Sequence, residues 1–475
     1  METKAEVLKA IREFKEKTAK KEGVAFLQSL ITSLPQQYQE NNIQQDYAND
    51  IEEAIPWPED LPEEAYHGLI GEIVRAIEPY TEADNVALLM SFLTAIGNYI
   101  GKDIYTKVAA DTHGTNIFTL LIGDTAKARK GTSLGPVREV FRRIDEEYIK
   151  TKNVEGLASG EGLIWAIRDP IVEYIKDKKT GEFKKEVVDL GVEDKRLLVT
   201  ESEFATILKR MQREGNILSP IIRQAWDGYK IQSLSKNNPA IVTEPHVSII
   251  GHITVEELRN HLRNVELFNG FANRFIWQCV RRSKLLPEGP VVPDAVYNEI
   301  IQKLVDVFKW VKENKGEIYR DDEATEFWKV VYPMLTEGKD GTIGAITSRA
   351  EAQVLRLSLL YAILDKSKVI KRRHIESAIA IWQRSEQSVE FVFGDKTGDT
   401  IQDSIMEALK QKPMTQTEIY RNVFNSNVQA TKIKEALQKL SAKGKVTCIV
   451  EQTKTKPKKI WVTVEWAKKY GNLKQ

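Results

Sequence analysis

Residues 116–133 read NIFTLLIGDTAKARKGTS and carry the strongest information about the architecture. The first half is an apolar, β-rich run, which predicts a buried strand ending at Gly123. The second half combines glycine, lysine and hydroxyl residues directly before a predicted helix. This order of strand, basic loop and helix is typical of a phosphate-binding loop, in which backbone N–H groups and the helix N-terminus hold phosphate oxygens.

The loop departs from the usual spacing of such motifs. In the consensus a lysine stands six residues after the first glycine and is followed directly by Ser or Thr. Here Arg129 fills that position, Lys130 follows it, and Gly131 separates the lysine from the hydroxyl residues. The alternative interpretation is a basic turn that only caps a helix. The predicted phosphate-binding residues are Gly123, Asp124, Thr125, Ala126, Lys127, Ala128, Arg129, Lys130, Gly131, Thr132 and Ser133.

Three further apolar runs follow the loop: RLLVTE (196–201), HVSIIG (246–251) and FANRFIWQCVRR (271–282). Helical patterns separate them. Continuous apolar strands that alternate with helices predict an α/β fold with a parallel sheet covered on both faces. Residues 176–195 predict an inserted, exposed hairpin, and residues 292–394 predict helices throughout.

The last 75 residues differ in charge from the rest of the chain. Residues 401–475 hold 15 Lys/Arg against 6 Asp/Glu, a net charge of +9, whereas residues 1–400 hold 54 against 62, or −8. Three predicted helices and a hairpin with a lysine-rich tip indicate a winged helix, a module that places its third helix in the DNA major groove. A protein-binding module or a merely lysine-rich end are the alternatives. The predicted nucleic-acid contacts here are Lys432, Lys434, Lys454, Lys456, Lys458 and Lys459.

Acidic residues follow the strand RLLVTE. A phosphate-loop ATPase needs one carboxylate to hold Mg²⁺ through water and another to orient the attacking water. Glu201 and Glu203 are candidates for these roles, although an N-cap at Ser202 with a favourable first-turn glutamate is equally compatible with the sequence. Glu161, at the start of a predicted helix, is either the catalytic base or an ordinary first-turn residue.

Two other polar positions flank predicted strands. His252 follows HVSIIG, where a polar side chain could sense the γ-phosphate, although a lone histidine is more often structural. Arg274, Arg281 and Arg282 border the last apolar strand, and one of them could reach a neighbouring subunit's ATP as an arginine finger. Arginines that only edge a strand are the commoner case.

Together these segments resemble the RepA-like, RecA-type P-loop family of phages, plasmids and integrated elements, a domain of unknown function. The resemblance covers roughly residues 55–395. It implies a RecA-like ATPase core that uses ATP and Mg²⁺, forms a homo-oligomeric ring such as a hexamer, and is related to replicative helicases. A separate primase is an implied partner. The motifs that carry it are LPEEAYHGLIGEIVRAIEPYTEAD, GDTAKARKGTS, SGEGLIWAIRDP, DKRLLVTESEFATILK, REGNILSPIIRQAWDGYKIQSLSKNNPA, HVSIIGHIT, NGFANRFIW, RSKLLPEG and RLSLLYAILD.

The resemblance also implies roles for individual residues. Lys130 and Thr132 would contact phosphate and Mg²⁺, and Arg129 or Lys127 could replace the lysine. The segment 224–240 corresponds to the DNA-contacting loops of such proteins. The remaining implied roles are the Mg²⁺-binding acid for Glu201 or Glu203, the catalytic glutamate for Glu161, the sensor for His252, the trans-acting finger for Arg274 and DNA contacts for Lys230 and Lys236.

We expect an ATP-dependent DNA translocase or helicase-like motor that acts in replication of a phage, plasmid or mobile element. The alternatives are a replication initiator or regulator with a weak or silent nucleotide site, and an ATPase of a defence system. Two distant cysteines and the lack of a signal peptide predict a cytoplasmic location. The expected regions are an N-terminal helical segment and linker at 1–54, a RecA-like core at 55–291, a helical subdomain at 292–395 and a winged helix at 401–475.

Overall fold

The architecture is described from a computed structural model. It covers residues 56–123, 130–176, 183–233, 240–262, 264–289, 291–394, 399–442, 445–451, 457–464 and 466–467. The predicted N-terminal segment 1–54, the loop residues Asp124–Arg129, and Lys236, Lys454 and Lys456 lie outside these ranges.

Sixteen strands occur in the described part of the chain. They are β1 Ile104–Val108, β2 Asp111–His113, β3 Phe118–Gly123, β4 Asn153–Val154, β5 Ile171–Lys176, β6 Phe183–Asp189, β7 Arg196–Glu201, β8 Ile231–Ser233, β9 Ala240–Val242, β10 His246–Thr254, β11 Phe275–Val280, β12 Gly316–Glu317, β13 Tyr319–Arg320, β14 Val369–Ile370, β15 Val446–Glu451 and β16 Lys458–Thr463.

The α-helices surround and follow these strands. They are α1 Gly68–Ile77, α2 Asn85–Ile100, α3 Leu134–Ile144, α4 Glu146–Lys152, α5 Gly160–Ala166, α6 Phe204–Met211, α7 Leu218–Asp227, α8 Val255–His261, α9 Asn264–Phe268, α10 Asp294–Glu313, α11 Asp322–Thr336, α12 Gly341–Thr347, α13 Ala350–Leu364, α14 Arg372–Phe393, α15 Thr400–Gln411, α16 Gln416–Glu418 and α17 Ala430–Ala442. Among the described residues, no helix combines the length and apolar character needed to cross a bilayer.

A five-stranded parallel sheet lies at the centre, in the order β11-β3-β10-β7-β4. All six residues of β3 are buried, as the continuous apolar run predicts. Successive side chains enter opposite cores: Leu121 and Ile250 belong to one apolar cluster, and Leu120 and Ile249 to the other. The predicted α/β fold with a parallel sheet covered on both faces is confirmed.

The chain order within this sheet creates a switch point. From β3 the chain passes to the far edge at β4, returns through β7 and β10, and then crosses to β11 on the other side of β3. The order therefore reverses where β3 and β10 meet. In open parallel sheets, ligands bind outside the carboxyl ends of the strands at such a point.

Helix α2 packs against the sheet through polar as well as apolar contacts. The hydroxyl groups of Thr94 and Thr119 lie 2.8 Å apart, which joins the helix to β3. The Asn98 side-chain amide donates to the carbonyl of Leu197 on β7 at 3.0 Å. These buried hydrogen bonds hold the helix in one register across the central strands.

Several predictions of secondary structure need correction. Residues 292–394 are not helical throughout, because the two-residue strand β12 pairs with β1, and the two-residue strands β13 and β14 pair with each other. The single helix predicted after the loop breaks at Asp145, whose carboxylate caps α4 by accepting from the Tyr148 N–H. The inserted hairpin begins earlier than predicted, at Ile171.

The C-terminal elements follow the predicted order. The helices α15, α16 with its π-turn, and α17 precede the antiparallel pair β15–β16. Their side chains form a separate apolar cluster that includes Ile405, Leu409, Ile433 and Leu437. Thr415 caps α16 in a capping box with Glu418.

Candidate functional site at the carboxyl edge of the sheet

The five parallel strands end at one edge of the sheet. Gly123 at the end of β3 pairs with Thr254 on one side and Val280 on the other. Glu201 at the end of β7 pairs with Gly251 of β10. The predicted loop and the predicted acidic residue therefore belong to the same edge, separated by one strand.

The described part of the phosphate-binding segment begins at Lys130. Residues Lys130–Ser133 form a 3₁₀ turn that leads directly into α3. Ser133 is buried, and its hydroxyl lies 3.2 Å from that of Ser91 on α2. Strand β3 therefore ends directly before residues 124–129, and the turn that leads into α3 begins directly after them.

Glu201 is nearly buried, with 7% of its surface exposed. The backbone N–H of Leu157 donates to its Oε1 at 2.6 Å. Burial raises the pKa of Glu201, whereas the N–H groups of Leu157 and Gly156 act in the opposite direction. The carboxylate is therefore oriented toward the segment that follows β4.

That segment contains a candidate residue that sequence reasoning missed. Glu155 directly follows β4 and forms an ion pair with Arg138 of α3. The Thr200 hydroxyl lies 3.4 Å from the carboxylate of Glu155. The negative charge of Glu155 raises the pKa of neighbouring Glu201. The strand before it has two residues only, so no apolar periodicity marks Glu155 in the sequence.

The two other predicted glutamates are exposed. Glu161 lies in the first turn of α5, where Ser159 provides the cap by accepting from the Gly162 N–H at 3.1 Å. This arrangement agrees with an ordinary first-turn position. Glu203 is itself the N-cap residue of α6 and forms no side-chain cap. The alternative of an N-cap at Ser202 is therefore wrong.

His252 is 1% exposed and lies within β10, beside the strand that leads into the loop. It pairs with Leu121 of β3, two residues before β10 ends at Thr254. The histidine is therefore next to the predicted phosphate edge but enclosed by the sheet and its helices.

The structure does not bring Arg274 to this edge. It directly precedes β11, whose first residue pairs with Phe118 at the opposite, amino end of β3. Arg274 is buried and forms a 2.8 Å ion pair with Asp227. Arg281 and Arg282 instead follow the carboxyl end of β11, and the side chain of Arg281 is 61% exposed.

The predicted nucleic-acid lysines that the structure describes are exposed. Lys230 precedes the β8–β9 hairpin, whose second strand leads to the amino end of β10. Lys432 and Lys434 lie in the first turns of α17, and Lys458 and Lys459 begin β16.

One cluster away from the sheet edge has the composition of a metal site. His67 and His374 place their Nε2 atoms 2.9 and 3.1 Å from Asp365 Oδ2. However, the backbone N–H of Lys371 donates to His374 Nδ1 at 2.9 Å, so the ring proton must be on Nε2. That tautomer leaves no lone pair on Nε2 for a metal ion, and the cluster is a hydrogen-bonded one.

Comparisons with known protein families and with curated proteins found no match. No model of a known protein family matches the sequence, and no curated protein shows significant similarity to it.

Proposed function

We propose that this protein is an ATP-hydrolysing, RecA-like motor that acts on DNA. The observation that carries the proposal is the common edge of β3 and β7. A central strand runs through Gly123 into a glycine-, lysine- and hydroxyl-containing segment, and Glu201 ends a strand of the same sheet at the same edge. A phosphate loop and an acidic strand at the carboxyl edge are what nucleoside triphosphate hydrolysis requires.

The roles that we propose follow from this arrangement. Lys130 and Thr132 would contact the phosphates and Mg²⁺. Adjacent strands are about 4.8 Å apart, so Glu201, roughly 10 Å from β3, would act on the ion through water. Glu155 is the better candidate for orienting the attacking water, because it lies beside Thr200 and acts electrostatically on Glu201. ATP would supply the leaving group, and Mg²⁺ would neutralise the negative charge of the phosphates.

The DNA part of the proposal rests on the C-terminal region. Its order of three helices and a β-hairpin, together with the net charge of +9 over residues 401–475, fits a winged helix on nucleic acid. Lys432, Lys434, Lys458 and Lys459 are exposed there and would meet phosphates.

The test is ATP hydrolysis with and without single-stranded DNA. Wild type is compared with Lys130→Ala and Glu201→Gln. We expect DNA-stimulated turnover in wild type and its loss in both variants, since general acid–base and charge-stabilising groups each contribute about 10²-fold or more. Unchanged turnover in Lys130→Ala would contradict the assignment of the loop.

A second function is favoured by one contact. The Leu157 N–H already occupies Glu201 Oε1, and burial raises the pKa of this carboxyl group. Both effects compete with metal binding, as expected of a replication initiator or regulator with a silent nucleotide site. Tight DNA binding by wild type without ATP turnover would support this function over the motor.

A further inference from the structure

Three arginines surround the indole ring of Trp226, the penultimate residue of α7. The guanidinium carbons of Arg356, Arg349 and Arg274 lie 3.7, 5.1 and 5.6 Å from the ring centroid. Each distance is within the range of a cation–π contact. This group, called the Trp226 arginine cluster below, concentrates positive charge where α7 ends.

Two of the three guanidinium groups have acceptors within the protein. Arg274 is paired with Asp227, and Arg356 donates to the carbonyl oxygens of Asn116 and Trp226 at 2.7 and 2.9 Å. Both arginines are buried, and these contacts pair their terminal N–H groups with acceptors inside the protein. They form the supporting part of the cluster.

Arg349 differs from the other two. It is half-buried, and within the described ranges no hydrogen bond or ion pair links its guanidinium to another group. Burial and the charge of Arg274 lower the pKa of Arg349, while Asp227, Glu351 and Asp111 oppose that shift without hydrogen-bonding to it. A guanidinium remains ionised in proteins, so this one has its donors available for an external anion.

An exposed aromatic ring lies beside the cluster. Tyr229 is 56% exposed, and its hydroxyl donates to Asp111 at 2.7 Å. Tyr229 follows Trp226 by three residues, just after α7 ends, and Arg349 contacts the Trp226 ring, so the tyrosine and the arginine meet at the same end of this helix. Lys230, exposed as well, follows Tyr229 at the base of the β8–β9 hairpin.

The site lies at the end of the sheet opposite the predicted phosphate loop. Arg274 precedes β11, and the β8–β9 hairpin leads into the amino end of β10, whereas Gly123 and Glu201 are at the carboxyl edge. The anion that Arg349 can bind is therefore distinct from a nucleotide held by this chain's own loop.

We propose that Arg349 and Tyr229 form a contact site for single-stranded nucleic acid. Arg349 binds a backbone phosphate, and Tyr229 stacks on a base. A cationic group beside an exposed aromatic ring is the combination by which proteins hold single strands without sequence preference. The inference rests on the proposed function and adds to it the residues that contact the strand.

The test uses the full-length protein and a fluorescein-labelled oligothymidylate, with fluorescence anisotropy measured over a range of salt concentrations. Arg349→Gln should weaken binding about five- to tenfold at 0.1 M salt and make the slope of log K against log salt shallower by about 0.7. Tyr229→Ala should weaken binding by at least about fivefold and leave that slope unchanged.

Arg320→Gln is the matched control. Arg320 is also half-buried and lies 5.2 Å from a tryptophan ring centroid, but that ring belongs to Trp328 of α11 and not to Trp226. Its affinity and salt slope should equal those of wild type. Arg349→Lys keeps the positive charge and should retain the wild-type slope of log K against log salt. This variant keeps the proposal testable if Arg349→Gln does not fold.

The outcomes separate this inference from the function on which it rests. Wild-type affinity and slope in Arg349→Gln, with DNA-stimulated ATP turnover intact, would overturn the site and leave the motor standing. If Arg349→Gln loses DNA-independent ATP turnover but keeps its affinity for DNA, the nucleic-acid site is overturned as well. Arg349 would then bind the phosphate of a nucleotide held by a second copy of the protein. A wild type that hydrolyses ATP but binds no single strand contradicts both proposals.

Discussion

His246 is held neutral inside the protein. It is 2% exposed, and its Nε2 lies 2.9 Å from the carbonyl oxygen of Gly97, to which it donates. Burial lowers its pKa to about 4, below the ordinary value of 6.5. Between these two values the unfolded chain binds more protons than the folded one, so the stability that this group maintains above pH 6.5 is lost as the pH falls toward 4.

We therefore expect acid destabilisation that depends on this residue. The contribution of His246 to the free energy of unfolding should fall by up to ~3 kcal/mol between pH 7 and pH 4. His246→Gln keeps a donor for Gly97 but cannot titrate, so its stability should change less over the same interval. Urea denaturation of both proteins at several pH values measures this, and parallel curves would contradict it.

Glu155 and Glu161 can be distinguished by substitution. If Glu155 orients the attacking water, Glu155→Gln should reduce the rate of ATP turnover about 10²-fold or more, whereas Glu161→Gln should retain most of it. The reason is position: Glu155 acts on Glu201, and Glu161 occupies an exposed first turn. Steady-state turnover at saturating ATP measures both variants, and the reverse order would restore the prediction made from sequence.

At the scale of elements, helix α2 approaches the backbone of the neighbouring segment at a glycine. A Cβ added at Gly97 would lie 2.2 Å from the carbonyl oxygen of Thr115, which belongs to backbone that cannot easily move. Gly97→Ala should therefore destabilise the protein by about 1–3 kcal/mol or more, through overpacking.

Gly135 in α3 provides the control for this prediction. A Cβ at Gly135 would meet nothing within 4 Å, and alanine is the better helix former by about 1 kcal/mol. Gly135→Ala should thus be neutral or stabilising in thermal or urea unfolding. Equal destabilisation by both alanine variants would show that close approach at Gly97 is not the cause.

The elements that the sequence predicts well share one property, a long apolar run. Strands β3, β7 and β10 were evident because they are buried on both faces of the sheet. Strand β4 has two residues, Asn153 and Val154, and its existence depends on pairing with β7. Because β4 was missed, Glu155 was missed with it.

The residues of the candidate sites also differ in how far the sequence predicts their positions. The position of Glu201 follows from its strand, so its place at the carboxyl edge was predictable. The partners of Arg274 and Arg349 come from segments far apart in the chain, and no local pattern reveals a contact with Trp226. Tertiary packing alone determines which of these arginines is buried with an acceptor.

At the scale of the whole molecule, charge is unevenly distributed between an acidic body and a basic C-terminal region. If the latter binds duplex DNA, replacing Lys458 and Lys459 by glutamine should weaken binding and make the salt slope shallower by about 0.9 for each lost phosphate contact. The matched control replaces Lys309 and Lys329, exposed lysines of the acidic body. Titrations with short duplexes of different sequence should show a uniform loss for the first pair and none for the second.

The strand order has a consequence for how the chain is made. Strand β3 leaves the ribosome before both of its partners, β10 and β11, which begin at His246 and Phe275. At about 5–20 residues per second, translation of the roughly 120 residues between β3 and β10 takes on the order of 6–25 s. During that time β3, whose six residues are all buried in the folded protein, has neither neighbour. Nascent chains of this protein therefore carry this apolar segment without its partner strands until the second half of the sheet has been made.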